Sequence, residues 1–204
     1  FADEREHPAE VAEVREGLAR AYMLAGRLDE AASTADASLA VAERHNNVPV
    51  IAQALITKGT VLGDLGRRRE STALLQGALA LAESHDLPTT ALRARMNLSH
   101  LLWDDDPAGQ LANLRAGMEQ ARRLGNRRWA ALFVGNLFDV LRATGDFDGA
   151  LAVWKDIGVE DMPADQQANL RLIQMSVLRY RRDPQETRRE VERLAALAPA
   201  DADP

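Results

Sequence analysis

Residues 14–35 read VREGLARAYMLAGRLDEAASTA, and this stretch decides the fold. Leu18 and Tyr22 lie one helical turn apart before Gly26, and the small residue Ala31 follows soon after that glycine. This order predicts one helix, a tight glycine turn and a second helix that begins with small side chains.

The same arrangement returns three times along the chain. The turn residues Gly26, Gly66, Asp106 and Gly145 give a period of about 40 residues. One hairpin cannot bury both of its apolar faces, so we expect successive hairpins to stack around a continuous core. The predicted organisation is a single all-α domain over residues 1–204, with five helical hairpins as its repeats. Their approximate bounds are 9–47, 48–86, 87–126, 127–162 and 163–197.

Composition and charge narrow the classes of function. The chain is 46% apolar and 27% charged, which is typical of a folded domain, and its net charge of -6 gives no support to direct nucleic-acid binding. It has no cysteine, and no apolar run approaches the ~18 residues that a membrane span needs. The chain starts at Phe1, so we expect a fragment of a longer protein. Since the sequence shows neither a membrane span nor a signal-peptide pattern, we expect that protein to be cytoplasmic.

The repeated order of leucine, small residue, aromatic or leucine, glycine and alanine resembles the tetratricopeptide repeat (TPR). The resemblance covers about residues 9–157 well and 164–197 weakly. It implies a right-handed α-α superhelix, a TPR-like solenoid, that binds proteins. The sequence has no phosphate-binding glycine loop, zinc-protease helix motif or nucleophile elbow, so we predict that the chain is not an enzyme. TPR units usually have about 34 residues, so the units of this chain are longer. Lengthened units with endings such as ALAESHD at residues 80–86 are similar to the superhelical domain of maltose-activator-like bacterial regulators.

Three departures from the repeat carry structural expectations. Asp106 stands where the turn glycine belongs, and the bulky Leu111 stands where a small residue lets two helices approach. We therefore expect the third hairpin to be splayed or rebuilt. Arg15 replaces a large apolar residue in the first helix, so the first repeat is either a full repeat or an end cap.

The resemblance implies that the first helix of each pair lines a concave groove that holds a peptide or partner segment. Asn97 and Asn136 each precede a core leucine, and an asparagine amide can both donate to and accept from a peptide backbone. The plain alternative is a solvated helix residue. The predicted groove residues are Arg20, Met23, Thr60, Asp64, Arg93, Asn97, His100, Trp103, Asn136, Asp139 and Arg142.

Two features of the predicted groove bear on the kind of partner: the lack of a basic clamp and the presence of tryptophans. Ile56, Thr60 and Met96 occupy slots where a clamp for a carboxyl-terminal peptide has lysine, asparagine or arginine, so a chaperone-tail adaptor is disfavoured. Trp103 is either a binding anchor or a packing residue. Trp154 is expected in the core, whereas Trp129 is open to both interpretations.

Histidines and carboxylates do not form a convincing metal site. His45 and His85 lie in the same phase of neighbouring repeats, which would hold them ~10 Å apart. We expect them to be helix-end residues in left-handed turns, and His100 to be a surface residue. Asp104–Asp106 lack a spaced cation loop, and Asp106 before Pro107 favours helix capping. We predict no metal and no cofactor.

The last helical pair is locally basic. Acidic residues, including Glu186 and Glu190, alternate with its arginines, so we expect a salt-bridged outer face. The arginines are Arg179, Arg181, Arg182, Arg188 and Arg189.

The leading functional hypothesis is a non-catalytic protein–protein interaction scaffold, the regulatory TPR segment of a larger bacterial signalling or transcription regulator. A small-ligand or peptide sensor is one alternative. Self-association through an end repeat, giving a homodimer, is another.

Overall fold

The computed structural model describes residues 7–103, 106–155, 164–181 and 184–196, and every regular element in these ranges is an α-helix. The all-α prediction is confirmed. Successive helices pair as antiparallel hairpins joined by short turns. The helices are α1 (Pro8–Leu24), α2 (Leu28–Arg44), α3 (Val48–Asp64), α4 (Arg68–Ser84), α5 (Pro88–Leu102), α6 (Pro107–Arg123), α7 (Arg127–Ala143), α8 (Phe147–Lys155), α9 (Ala164–Arg181) and α10 (Pro184–Ala195).

Helices end in the same way along most of the described chain. At the end of α1, the Arg27 amide donates to the Tyr22 carbonyl at 2.9 Å, and the Gly26 amide donates to the Met23 carbonyl at 3.0 Å. This pair of bonds is the Schellman motif, which requires a left-handed residue after the helix. The left-handed residues with positive φ are Gly26, Asn46, Gly66, Asp86, Gly125 and Gly145.

His45 and His85 lie at helix ends in left-handed turns, as predicted, but neither is itself the left-handed residue. His45 and His85 have φ of -113° and -111°, and the left-handed residues are their neighbours Asn46 and Asp86, both at 51°. Asparagine and aspartate tolerate this conformation better than other residues with a side chain, since their short polar groups can bond locally. Both histidines are exposed at helix ends.

Asp106 corresponds to the residue after the turn glycine. Its carboxylate accepts from the Gly109 amide at 2.9 Å, as the Asp146 carboxylate accepts from the Gly149 amide at 2.8 Å. The prediction that Asp106 occupies the glycine slot is therefore wrong, while the prediction that it caps α6 is confirmed. Asp104 and Asp105 lie outside the described residues.

The third hairpin is rebuilt with side-chain amides. Ala31 of α2 and Ser71 of α4 are the small residues of the first two hairpins, and the equivalent position of α6 is Gln110. The prediction that Leu111 takes this position is therefore wrong. The Gln110 amide donates to the Ser99 carbonyl of α5 at 3.1 Å. Asn113 donates to the Arg95 carbonyl and to Ser99 Oγ, both at 2.7 Å. Hydrogen bonds thus replace the close contact of small residues that joins the first two hairpins.

The chain forms two compact units, residues 1–113 and 114–204, with the boundary inside α6. The assignment of the whole chain to one domain stays a prediction. In the first unit, one buried cluster contains Ala12, Val41 and Ile51, from α1, α2 and α3. A second contains residues of α3, α4 and α5: Ile56, Leu75, Ala78, Ala94, Leu98 and Leu101. Since α3 contributes to both clusters, neighbouring hairpins bury each other's apolar faces.

The buried face of α1 carries alanines, while larger apolar side chains of the same helix are exposed. Ala12 and Ala19 are buried, whereas Val14 and Leu18 are 63% and 43% exposed. Alanine faces α2 because the hairpin helices approach closely there, and the larger side chains lie outside the contact. Since α1 and α2 form a regular hairpin, this part of the chain has the form of a full repeat. Whether it also acts as an end cap stays a prediction.

In the second unit, the core is built around α7. Phe133, Leu137 and Phe138 are fully buried there, and a Cβ on Gly117 of α6 would overlap the Phe133 ring. Trp129 is half-buried with its ring 6.0 Å from that of Phe133, so it packs inside the unit. The Trp154 side chain lies outside the described residues.

One acidic residue of the last pair is salt-bridged as predicted, but it does not lie on the outer face. Glu190 is fully buried, and it accepts from Arg171 of α9 at 2.8 Å and also from Arg193. The paired cations offset the cost of burying its charge. The exposed Arg189–Glu186 pair, at 3.1 Å, does follow the prediction. Arg182 lies outside the described residues.

None of the helices in the described ranges is long and apolar enough to cross a bilayer.

The turns generate a matched prediction. Gly66 has φ of +79°, so Gly66→Ala should destabilise the protein by about 1 kcal/mol. Gly77 lies inside α4, and a Cβ there meets nothing within 4 Å. Gly77→Ala should therefore stabilise by up to about 1 kcal/mol. Urea denaturation followed by circular dichroism measures both, and equal effects of the two substitutions would contradict the assigned turn.

Candidate functional site

A chain of buried polar side chains joins the first helices of three successive hairpins. Arg93 of α5 donates to Thr57 Oγ1 of α3 at 2.8 Å and to a Glu16 carboxylate oxygen of α1 at 3.3 Å. Thr57 Oγ1 in turn donates to the same Glu16 oxygen at 2.9 Å. These contacts join side chains that are far apart in sequence, and they connect α1, α3 and α5 side by side.

A glutamine extends this chain. Gln53 of α3 accepts from Arg93 through its side-chain oxygen, and its amide donates to Thr90 Oγ1 of α5 at 2.9 Å. Arg93 is only 8% exposed, and the Glu16 side chain is 15% exposed. We call Glu16, Gln53, Thr57, Thr90 and Arg93 the inner polar network.

Charge is balanced inside the inner polar network. Burial lowers the pKa of the Arg93 guanidinium, and the Glu16 carboxylate opposes that shift, while nearby Arg20 adds to it. Because its donors already contact Glu16, Gln53 and Thr57, Arg93 holds the inner helices together. It is not an exposed cation in a groove.

Four other predicted residues lie together around a cavity beside this network. Asn97 donates to Thr60 Oγ1 at 2.9 Å, and Thr60 donates to its own helix at the Ile56 carbonyl at 2.8 Å. We call the cavity the α3–α5 pocket, and its volume is about 150 Å³. It is lined by Thr60, Gly63, Asp64, Arg68, Ser71, Leu75, Asn97, His100 and Leu101.

The remaining predicted residues of the first unit do not line the α3–α5 pocket. Arg20 is exposed on α1 near Arg93, and Met23 is half-buried near the end of the same helix. Trp103 follows the last residue of α5 and is exposed. Whether Arg20 and Trp103 touch a partner stays a prediction.

In the second unit, the predicted residues bond within their own helix. Asn136 donates to the Leu132 carbonyl at 2.8 Å, one helical turn earlier. Arg142 lies 3.7 Å from Asp139, in a partly exposed ion pair. Both contacts are typical of a solvated helix face and require no partner. A role for these three residues in binding stays a prediction.

Sequence reasoning missed the polar residues inside α3. The helix reads VPVIAQALITKGTVLGD, and Gln53 and Thr57 interrupt an otherwise apolar stretch. Such interruptions signal buried polar groups that need partners. Ser71 was missed as well, although Ala31 holds its slot in the first hairpin. Gly63 is a second such signal, because the equivalent position of α1, 40 residues earlier, holds the large side chain of Met23.

Metal-ligating residues are dispersed over the described part of the chain. No three histidine or acidic side chains there lie close enough together to hold a metal ion.

Comparison with known proteins yields structural matches. The sequence matches no protein-family model, and no curated protein matches it significantly. The crystal structure of a Podosopora anserina protein described as a putative kinesin light chain, with nearly identical TPR-like repeats, has a TM-score of 0.75. It is 14% identical over 94% of this chain and 96% of its own. A single-substitution variant of it gives the same TM-score at 13% identity, over 94% of this chain and 95% of that chain.

BtubC (BKLC) from P. vanneervenii is a second kind of structural match. Its TM-score is 0.76 at 16% identity, over 95% of this chain and 83% of that chain. The chain has a TPR-like fold. At these identities the likeness concerns the fold alone, and the similarity to maltose-activator-like regulators stays a prediction.

The inner polar network makes a stability prediction. Arg93→Ala leaves Glu16, Thr57 and Gln53 without their shared donor, and should destabilise the protein by about 2–4 kcal/mol. Arg20→Ala, on the exposed face of α1, should change stability by no more than about 0.5 kcal/mol. Urea titrations of both variants test this. Equal, small losses would show that the buried bonds do not hold α1, α3 and α5 together.

Proposed function

We propose that this chain is a non-catalytic scaffold that holds an extended segment of a protein partner along α1, α3 and α5. The TPR-like fold supports this, since stacked helical hairpins present extended surfaces for binding. The main supporting observation is the grouping of Thr60, Asp64, Asn97 and His100 at the α3–α5 pocket. Asp64 and His100 are exposed, whereas Thr60 and Asn97 are half-buried, so a guest can reach polar groups at two depths.

The size of the pocket favours a peptide over a metabolite. Sites for small molecules usually measure about 300–1,000 Å³. A volume of about 150 Å³ suits a single side chain of a longer guest. The rest of such a guest would contact the neighbouring inner helices, where Arg20 is exposed.

We place this scaffold in a larger bacterial, cytoplasmic regulator of signalling or transcription, in which it is the regulatory segment. The support is the spacing of Gly26 and Gly66, since a unit of about 40 residues is longer than the roughly 34 residues of a usual TPR unit.

Selection of random linear peptides displayed on phage tests the scaffold function. Peptides selected on the wild-type protein should bind His100→Ala and Asn97→Ala about five- to tenfold more weakly, because each substitution removes a polar contact. Gln76→Ala, on the exposed side of α4, is the control and should bind normally. Fluorescence polarisation with labelled peptides measures the affinities. Peptides insensitive to both inner-helix substitutions would place binding elsewhere.

Self-association through the first hairpin is the second candidate function. It is favoured by Val14 and Leu18, which lie one turn apart on α1 and are 63% and 43% exposed. Light scattering should then show a mass that rises with concentration, and the double substitution Val14→Glu, Leu18→Glu should abolish the rise. Leu65→Glu, at an apolar position exposed to 42% elsewhere, is the control. A constant monomer mass for the wild-type protein would exclude this function.

A further inference from the structure

The exposed face of α1 is equivalent to a buried face of α5. Gly26 and Gly66 lie 40 residues apart, as do Asn46 and Asp86, so a position of α1 matches the position of α5 two such intervals later. In α5 this face carries three apolar residues, each at most 9% exposed, that pack on α3 and α4 of the preceding hairpin. The three residues are Ala94, Leu98 and Leu101.

In α1 the matching positions are open to solvent. Val14 and Leu18 are 63% and 43% exposed, Ala21 is exposed, and Leu24 is 75% exposed. In the described part of the chain α1 packs against α2 and α3, and it uses its opposite side for these contacts. We call Val14, Gly17, Leu18, Ala21 and Leu24 the α1 stacking face. A contiguous exposed apolar face of this kind indicates an interaction surface.

Large and small side chains alternate along the α1 stacking face. Gly17 lies beside Leu18, and a Cβ at position 17 would meet nothing within 4 Å, so the helix has an open notch there. If a second α1 runs antiparallel, with the two-fold axis between residues 17 and 18, Leu18 of each copy faces Gly17 of the other. Val14 of each copy then faces Ala21 of the other. Such alternation lets two helix surfaces interlock, so the face is complementary to itself.

Charges beside the α1 stacking face favour the same orientation. Glu13 and Arg20 are exposed and lie seven residues apart, which places them on one flank of α1. In an antiparallel pair, Glu13 of each copy lies near Arg20 of the other, so opposite charges meet twice. In a parallel pair, each side chain would lie beside its own like charge. Exposed pairs of this kind contribute more to orientation than to affinity.

We propose that two copies of this chain associate through the α1 stacking face as an antiparallel, two-fold symmetric pair of α1 helices. This inference rests on the second candidate function, self-association through the first hairpin, and specifies its contacts. One pair of helices buries less than the roughly 1,200 Å² of a stable interface, so we expect a dissociation constant of about 100 µM. The pair presents two scaffold surfaces, to which two segments of one partner would bind together.

Oxidative crosslinking tests the orientation, because the natural chain contains no cysteine. Val14→Cys and Ala21→Cys are prepared with tags of different mass and mixed. Only an antiparallel pair brings the two positions within disulfide distance, so the mixed disulfide should exceed either homodimeric one about fivefold or more. Gln76→Cys, on the exposed side of α4, is the control for random collision. Mainly homodimeric disulfides would indicate parallel helices and overturn the proposal.

Filling the notch separates specific packing from general stickiness. Gly17→Leu adds apolar surface, yet it should weaken association about tenfold, because Leu18 of the other copy loses its space. Sedimentation equilibrium measures the dissociation constant, and circular dichroism checks that the variant is folded. Association stronger than that of the wild-type protein would overturn the interlocked register.

Charge reversal provides a second test of the register. Glu13→Arg and Arg20→Glu each bring like charges together, so each variant alone should associate about three- to tenfold more weakly than the wild-type protein. A mixture of the two variants should associate at least as tightly as the wild-type protein, because opposite charges then meet at both contacts. Equal association of the separate variants and of their mixture would overturn the assigned contacts.

Two results distinguish this geometry from the wider function. A mass that rises with concentration and depends on Val14 and Leu18, without the mixed disulfide, would keep self-association through the first hairpin and overturn the antiparallel pair. A constant monomer mass up to about 1 mM would overturn both, and would leave the α1 stacking face to a helical hairpin of another protein.

Discussion

A residue in the left-handed conformation closes helix after helix in this protein, and the rest of the architecture depends on this constraint. Gly26, Asn46, Gly66 and Asp86 occur at equal intervals along the chain, and each reverses its direction so that the next helix packs against the previous one. Two hydrogen bonds across each turn satisfy carbonyls that a helix end otherwise leaves unpaired. Because the spacing is regular, equivalent positions of successive hairpins share similar surroundings. A residue type that differs at one such position therefore marks a local difference in packing or hydrogen bonding.

Contacts between hairpins then decide which helices act together. Apolar clusters on both sides of α3 connect it to α1 and α2 and to α4 and α5. The inner polar network adds a directional connection, since the Arg93 guanidinium contacts Glu16 and Thr57 only when three helices are in register. A buried ion pair contributes little net stability compared with apolar residues, but removal of one partner leaves the other charge buried and unpaired. We therefore attribute to this network the alignment of α1, α3 and α5, and we expect its disruption to be costly.

The candidate site arises from a local exception to the repeat. A TPR-like fold by itself specifies no guest, since function resides in sites built on a fold. In the second hairpin, Gly63 removes a side chain and Ser71 adds a hydroxyl at the same point. The third hairpin is also exceptional, but there Gln110 and Asn113 bond to α5 within the protein. The difference between these two exceptions is whether the polar group finds an internal partner.

The sequence alone determined the all-α class, the pairing of successive helices, the turns at Gly26, Gly66 and Gly145, and the capping role of Asp106. These features are set by residues a few positions apart, where glycine, aspartate, proline and apolar periodicity act locally. Only the tertiary structure decided that Arg93 is buried against Glu16, that Glu190 is buried with Arg171, and that Val14 and Leu18 are exposed. The physical reason is range: whether a polar group is paired, or an apolar one covered, depends on helices far away in sequence, and no local pattern encodes that contact.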